Sequence, residues 1–192
     1  MAAVQKTVDK WKKKKWFELI APKIFENKNI GETPAEKSRQ VIGRTAWATV
    51  DELTGQRKLR HIAVKFKVRE VKESKAFTEA IGFEVNQSYL RRMIRRRITK
   101  IEAIVTGTTK DGKKTRVSAI AISGRKLEKK KEKAIRKAMT EIIAGDIQKK
   151  DFDQLLQELI FGITIAKITK KTSETDKLKK IEIAKARLLE GK

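Results

Sequence analysis

The chain contains no cysteine in its 192 residues. That absence excludes disulfides, thiol catalysis, cysteine-ligated zinc and iron–sulfur clusters. It contains one histidine, His61, which excludes a multi-histidine metal site and leaves little basis for a histidine-centred triad. No apolar run reaches the roughly 18 residues that a membrane-spanning helix needs. The lysine-bearing N-terminus is not followed by the apolar segment of a secretory signal. No internal repeat is visible. Acids are scarce as well: 24 Asp and Glu face 48 Lys and Arg, a net charge of +24.

What is present is charge and a modest apolar complement. Charged residues make up 38% and hydrophobic residues 39%, against a usual charged share of about 25%. A chain of this size still buries roughly 70% of its unfolded surface, so a true core with charged extensions is expected. Such an excess of positive charge repels itself unless a polyanion neutralises it. Nucleic acid is the first candidate partner and anionic membrane the second; the missing apolar run argues against the second. Isoleucine (22) outnumbers valine (10), and Lys and Glu abound, a bias seen in thermophile proteins.

Along the chain, residues 1–18 read as a basic arm centred on KWKKKKW, Lys10–Trp16. Thr33, Pro34 and Glu36 fit an N-cap, a first helical proline and a capping carboxylate, predicting a short helix over Pro34–Gln40. Arg44–Val50 reads as a strand leading to a turn at Leu53–Gln56. Ile62, Val64, Phe66 and Val68 alternate with Ala63, Lys65, Lys67 and Arg69, a strand with one buried and one basic face. Phe77–Val85 repeats the pattern through Ile81, Phe83 and Val85. Leu90, Ile94, Ile98 and Ile101 then predict a helix from Asn86 through at least Ile98.

Ile101–Ile122 reads as a hairpin about Lys110-Asp111-Gly112-Lys113, with a two-residue Asp-Gly turn. That turn pairs Val105 with Ser118, Ala103 with Ile120 and Ile101 with Ile122. Apolar residues on both faces place the hairpin at the centre of its sheet. Arg125–Ala144 is predicted helical, with Ala134, Ile135, Ala138, Met139, Ile142 and Ile143 buried and Gly145 as an interruption. Asp151–Phe161 is a second helix capped by Asp151 and stopped at Gly162. Ile163–Ile168 and Ile181–Leu189 read as strands, separated by a polar linker. The expected organisation is an arm (1–30), an α+β core (31–168) and a polar linker with a C-terminal segment (169–192).

Candidate motifs are few. Gly107-Thr-Thr-Lys-Asp-Gly112-Lys113 has the spacing of a phosphate-cradling loop, but Lys114 stands where Ser or Thr must hold the metal, and a hairpin is the wrong context. His61 has no matching partners and reads as structural. Asp51, Glu52, Asp151 and Asp153 read as punctuation or charge balance. Neither an enzyme nor a cofactor is supported.

The sharpest feature is YLRRMIRRRITKIEA, Tyr89–Ala103, with five arginines in seven residues and no acid before Glu102. Arg91 with Arg95, and Arg92 with Arg96, are like charges four apart, unfavourable on an isolated helix and relieved by an external anion. Arginine's planar fork binds phosphate through two parallel bonds. Candidate RNA-binding residues are therefore Arg91, Arg92, Arg95, Arg96 and Arg97, with Lys65, Lys67 and Arg69 on the strand face. Lys113 and Lys114 join them at the turn, and Lys12, Lys13, Lys14, Lys15 and Trp16 in the arm. Trp11 and Trp16 can stack on bases or lie on the protein's own core. Contacts of this kind give affinity without sequence information. No aromatic-rich RNA-binding sheet is apparent, so folded RNA recognised by shape fits better than a single strand.

The order of segments resembles the archaeal and eukaryotic small-subunit ribosomal protein family called S-three-a-e, also e-S-one. The likeness runs through KKKKWFELIAPKIFENKNIGET (Lys12–Thr33), IGRTAWATVDEL (Ile42–Leu53), ITKIEAIVTGTTKDGKKTRV (Ile98–Val117) and AIRKAMTEIIAGDIQKKDFDQLLQELI (Ala134–Ile160). It covers most of residues 11–168, while Thr169–Lys192 matches only loosely. The resemblance implies an α+β fold with a β-barrel-like, mostly antiparallel sheet, flanking helices and basic extensions. It also implies a non-catalytic protein of the cytoplasmic small ribosomal subunit. Family members sit on the platform near the mRNA exit and the 3′ end of small-subunit rRNA, so the expected partners are that rRNA, neighbouring platform proteins and mRNA at the exit. No membrane and no homo-oligomer are expected. The competing reading is a free-standing, chromatin-like protein that compacts nucleic acid. It shares the charge, but it lacks an exposed apolar wedge for the minor groove.

Overall fold

The computed structural model describes Trp11 and residues 13–189. It is an α+β structure with eight strands in a mostly antiparallel sheet that is open rather than closed. The sheet's main path runs β2-β1-β5-β8-β7-β6, with β4 also pairing β5, and β3 pairing β4. The strands are β1 (Lys15–Ile20), β2 (Asn29–Ala35), β3 (Thr45–Thr49), β4 (Ile62–Lys72), β5 (Lys75–Val85), β6 (Lys100–Thr108), β7 (Lys114–Ser123) and β8 (Leu178–Leu188). The helices are α1 (Val50–Thr54), α2 (Gln87–Met93), α3 (Lys129–Lys149), α4 (Phe152–Ile160) and α5 (Ile163–Thr172). The chain divides into two compact units, one of residues up to Trp47 with Phe66–Ala80, the other of Ala48–Lys65 with Ile81 onward.

In the first unit, Lys15–Ile20, read from sequence as largely arm, is a strand. Its alternation puts Phe17 and Leu19 inward between exposed Trp16 and Glu18. They pack with Ala35, Val41, Val68 and Ala76, while Phe25 meets Phe66 edge-on, with centroids 5.7 Å apart. The predicted Pro34–Gln40 helix does not form. Pro34 and Ala35 belong to β2, where Thr33 pairs with Phe17 and Pro34 with Trp16. Only Ser38–Gln40 makes a 3-10 turn. The local capping pattern loses because the ladder to β1 claims the backbone, and the Arg44 guanidinium donates to Thr33 Oγ1 and the Pro34 carbonyl. A strand ending the sheet's order tolerates the missing proline donor. A reciprocal capping box does occur, unforeseen, in the second unit. Thr49 Oγ1 accepts from the Glu52 N–H, and the Glu52 carboxylate accepts from the Thr49 N–H. Asp51 and Glu52 thus lie in the first turn of α1, where a turn was expected only from Leu53.

In β4, Ile62, Val64, Phe66 and Val68 are buried, as the alternation predicts. In β5 the buried parity changes along the strand: Ala76, Thr78 and Ala80 face in, then Phe83 and Val85. Gly82 sits where the parity changes, pressed against β8. A Cβ there would lie 2.3 Å from the Ala186 carbonyl oxygen.

The β6–β7 hairpin forms one residue out of the predicted register. Ile101 pairs with Ala121, Ala103 with Ala119 and Val105 with Val117. The connection is longer than two residues: the Thr109 N–H donates to the Lys113 carbonyl and the Gly112 N–H to the Thr109 carbonyl, with Gly112 alone at φ 73°. The hairpin is also not wholly central. β7 lies between β6 and β8, but β6 ends the order, and its alternate residues, including Ile104, are exposed.

Behind the hairpin, α3 lays Ile135, Met139, Ile143 and Ile147 into the core at a spacing of four. Of the predicted stripe, Ala138 and Ile142 are half-buried and Ala134 is exposed. Gly145 does not break this helix. Its cost in a helix interior is about 0.5–1 kcal/mol, and the flanking buried Ile143 and Ile147 outweigh it. The predicted strand Ile163–Ile168 is instead α5. Its alternation is real, but Thr164, Ile168 and Thr172 are buried at a spacing of four. Asp146, buried on α3, accepts from Thr164 Oγ1 (3.0 Å), Lys167 Nζ (3.0 Å) and Lys150 Nζ (3.1 Å), joining α3 to α5. The segment Leu178–Leu188 is a strand, as predicted, paired with β7 and β5.

Candidate nucleic-acid interface

The arginine segment is arranged differently from the predicted continuous helix. Asn86 opens α2 by accepting from the Ser88 N–H at 2.9 Å, but the helix ends at Met93. Ile94 is extended (φ −88°, ψ 117°). Arg91 and Arg92 stand on the last helical turn, and Arg95, Arg96 and Arg97 occupy the following loop, with Arg97 in left-handed conformation at φ 65°. Ending the helix here removes the like-charge pairs at i, i+4 that the sequence would otherwise impose. It also lets the chain turn into β6.

All five arginines are exposed. Among the described residues none is ion-paired with a carboxylate. The nearby acids are taken: Glu102 by Lys100 (3.2 Å), Glu84 by Lys185 (2.7 Å) and Glu182 by Lys180 (3.1 Å). Other arginines are engaged, Arg125 with Asp176 and Arg69 with Glu79. The segment Arg91–Arg97 is therefore a local concentration of positive charge for which the described residues provide no counter-charge. A shallow groove of about 330 Å³ adjoins it, with Arg91, Leu90 and Ile94 on one side and Ser118, Ile120 and Ala184 on the sheet floor.

The remaining candidates are distributed. Lys113 and Lys114 sit at the far end of the hairpin, about 26 Å from the arginine end of β6 at 3.3 Å per residue. Lys113 lies over the Phe152 ring at 5.7 Å, and Lys114 is exposed. In the second unit Lys65 is half-buried. In the first, Lys67 is half-buried and Arg69 is exposed but bound to Glu79. Lys65 and Lys67 are both engaged within the chain, so this strand face is less available than its alternation suggested. In the arm, Lys13, Lys14, Lys15 and Trp16 are exposed, and Lys12 lies outside the described residues. Trp11 and Trp16, 58% and 57% exposed, meet edge to face at 6.4 Å, with Lys14 Nζ 4.4 Å from the Trp11 ring. Neither ring is in the core.

Sequence reasoning passed over a further cationic line on α3. Lys129, Lys133 and Arg136, spaced four and three, are exposed, and the run KKKEK was its available signal. His61 is structural in setting: its ring stacks on Tyr89 at 4.1 Å. Burial lowers its pKa, favouring the neutral ring. The Gly107–Lys113 segment is the end of β6 and its turn, not a strand-to-helix phosphate loop. Among the described residues no cluster of three or more His, Asp or Glu is placed to hold a metal.

Fold and surface together define a basic α+β protein with no catalytic constellation among its described residues. Comparison with known proteins gives that class a family. The profile of the Ribosomal S3Ae family matches residues 2–192. The chain is 39% identical over 183 residues to the small ribosomal subunit protein eS1 of Archaeoglobus fulgidus, covering 94% of this chain and 87% of that one. It is 36% identical over 181 residues to eS1 of Staphylothermus marinus, covering 94% and 85%. The chain belongs to the Ribosomal S3Ae family, a family of structural ribosomal proteins and not of enzymes.

Proposed function

We propose that this chain is a structural constituent of the cytoplasmic small ribosomal subunit and holds folded rRNA through its phosphates. The observation that carries the reading is the exposed, uncompensated set Arg91, Arg92, Arg95, Arg96 and Arg97. Five guanidinium groups without carboxylate partners cost the free protein self-repulsion and gain charge-assisted bonds only from an outside anion. The names of its relatives supply the ribosome as the source of that anion. Lys113 and Lys114 extend the contact at the hairpin turn, and Lys12–Lys15 with Trp16 enter an rRNA crevice. By family likeness the site is the platform, near the mRNA exit and the 3′ end of small-subunit rRNA. The chain acts there as a single copy among protein neighbours.

The test is the salt dependence of binding to a small-subunit rRNA fragment. With about six phosphates neutralised, log affinity should fall against log salt with a slope of about −4 to −5. A slope near zero would overturn the reading. Equal affinity for duplex DNA, measured by competition at one fixed salt concentration, would replace it with the architectural alternative.

A further inference from the structure

The RNA reading leaves one side of the sheet unexplained. β6 ends the strand order, with β7 as its one strand neighbour among the described residues. Successive residues of a strand direct their backbone groups to opposite sides. The Thr99 carbonyl accepts from the Ser123 N–H and the Thr109 N–H donates to the Lys113 carbonyl, so the odd-numbered residues serve β7. The even-numbered residues Glu102, Ile104 and Thr106 then point their N–H and C=O groups away from the sheet. The Arg136 Nε donates to the Glu102 carbonyl at 3.1 Å, which confirms that direction and satisfies one of these groups. Those of Ile104 and Thr106 have no backbone partner among the described residues. The same residues carry the outer-face side chains, and Ile104 is 49% exposed.

Natural proteins protect such edges with short strands, prolines, bulges or charges. β6 is nine residues long, contains no proline and pairs with β7 in continuous register. Beside it runs the α3 line of Lys129, Lys133 and Arg136, three residues on one helix face, of which Arg136 is the one that reaches the edge. None of the three is ion-paired with a carboxylate among the described residues. An open ladder, an exposed isoleucine and flanking cations are complementary to one kind of partner.

We propose that the β6 edge is the docking site for an extended, acidic segment of another protein, which joins the sheet as an added strand. Its main chain bonds Ile104 and Thr106, an apolar side chain covers Ile104, and its carboxylates meet Lys129 and Lys133. RNA could use the cations but not the paired donors and acceptors or the apolar contact. The proposal does not depend on the arginine loop being the rRNA site.

The experiment places p-benzoylphenylalanine at Thr106 and irradiates native small subunits carrying this chain. The expected product is a cross-link to a single protein segment bearing several Asp or Glu. In parallel, amide exchange at Ile104 and Thr106 should slow at least tenfold between the free chain and the subunit. Ile104→Pro, which removes the outward donor but none used by β7, should cut the cross-link yield about tenfold, the worth of one main-chain hydrogen bond. Ile104→Ala, which keeps the donor, should cut it less. A cross-link to RNA or to a segment without net acidity, or no cross-link, would overturn the proposal. So would unchanged amide exchange in the native chain, a measurement that stands even where the proline variant fails to fold.

Discussion

The Asp111 carboxylate accepts a hydrogen bond from the Phe152 N–H at 3.1 Å, so the tip of the β6–β7 hairpin caps α4. Asp151, in the N-cap position itself, makes no side-chain cap. The two carboxyls adjoin, and they are pushed in opposite directions. The Phe152 N–H, then Asp151, holds the Asp111 carboxyl below its ordinary value; Asp111 raises that of Asp151. A carboxyl lowered on folding contributes stability above its unfolded pKa, near 4, and loses it as pH falls. The bond between the two carboxyls lowers one as it raises the other, so the Phe152 N–H sets the net sign: Asp111→Asn should lower the unfolding midpoint at pH 7, and the difference from the native chain should shrink toward pH 2. Thermal melts at the two pH values check this; a difference that persists in acid would assign the cap to geometry rather than charge.

Asp146 predicts a larger effect, because its acceptors are enclosed. Burial pushes its carboxyl up, but the bonds from Lys167, Lys150 and Thr164 outweigh that and hold it below the ordinary range. Glu158 shares Lys150 and Lys167, adding α4 to the cluster. Asp146→Ala leaves the buried Thr164 hydroxyl without its acceptor and two ammonium groups sharing Glu158 alone. The expected loss is about 2–3 kcal/mol in urea unfolding at pH 7, from bonds to a charged group. The lowered pKa sets the sign: the native chain should itself lose this contribution as pH falls below about 4, narrowing the gap between the two.

Gly82→Ala tests the close approach of β5 and β8. The added methyl would meet the Ala186 carbonyl oxygen at 2.3 Å and the Arg187 Cα at 2.9 Å, and backbone atoms cannot rotate aside. Separating the strands also weakens the pairing of Gly82 with Arg187 and Phe83 with Ala186. A loss of about 3 kcal/mol is expected for overpacking of this severity. A melt within 0.5 kcal/mol of the native chain, the usual range for an innocuous surface change, would mean the approach is not maintained.

Elements were legible where a single period ruled. β4 was readable because its apolar residues alternate without a break, and α4 because Phe152, Leu155, Leu156, Leu159 and Ile160 repeat at three and four. Ile163–Ile168 satisfies both periods, and what decides it is distant: the buried Asp146 requires Thr164 and Lys167 on adjacent turns of one helix. Thr33–Glu36 carried a helix start whose backbone was already claimed by β1. The hairpin register slipped because the Thr109–Lys113 bond closes a longer loop than Asp-Gly alone implies. The arginine cluster was visible as composition, but its placement was not. The apolar stripe pointed to a helix through Ile98, while the repulsion written into the same residues favours the observed break at Ile94. Nothing local announced that β6 would be an edge, because an edge is defined by which strands pair elsewhere.

That break bears on how the arginines should respond to mutation. Arg92 lies on α2 and Arg96 in the loop beyond it, both exposed and without a carboxylate partner. Replacing both with alanine removes no packing and no ion pair, so unfolding should change by no more than about 0.5 kcal/mol. Binding should respond differently. If each guanidinium neutralises one phosphate, the double variant's log affinity should fall less steeply against log salt, the slope shrinking by about 2 units at most. Arg69→Ala should leave the slope nearly unchanged, since its charge is already answered by Glu79. Titrations of the three proteins against the same rRNA fragment, at several salt concentrations, separate the two kinds of arginine. An equal effect from Arg69 would make net charge the determinant, not the uncompensated cluster.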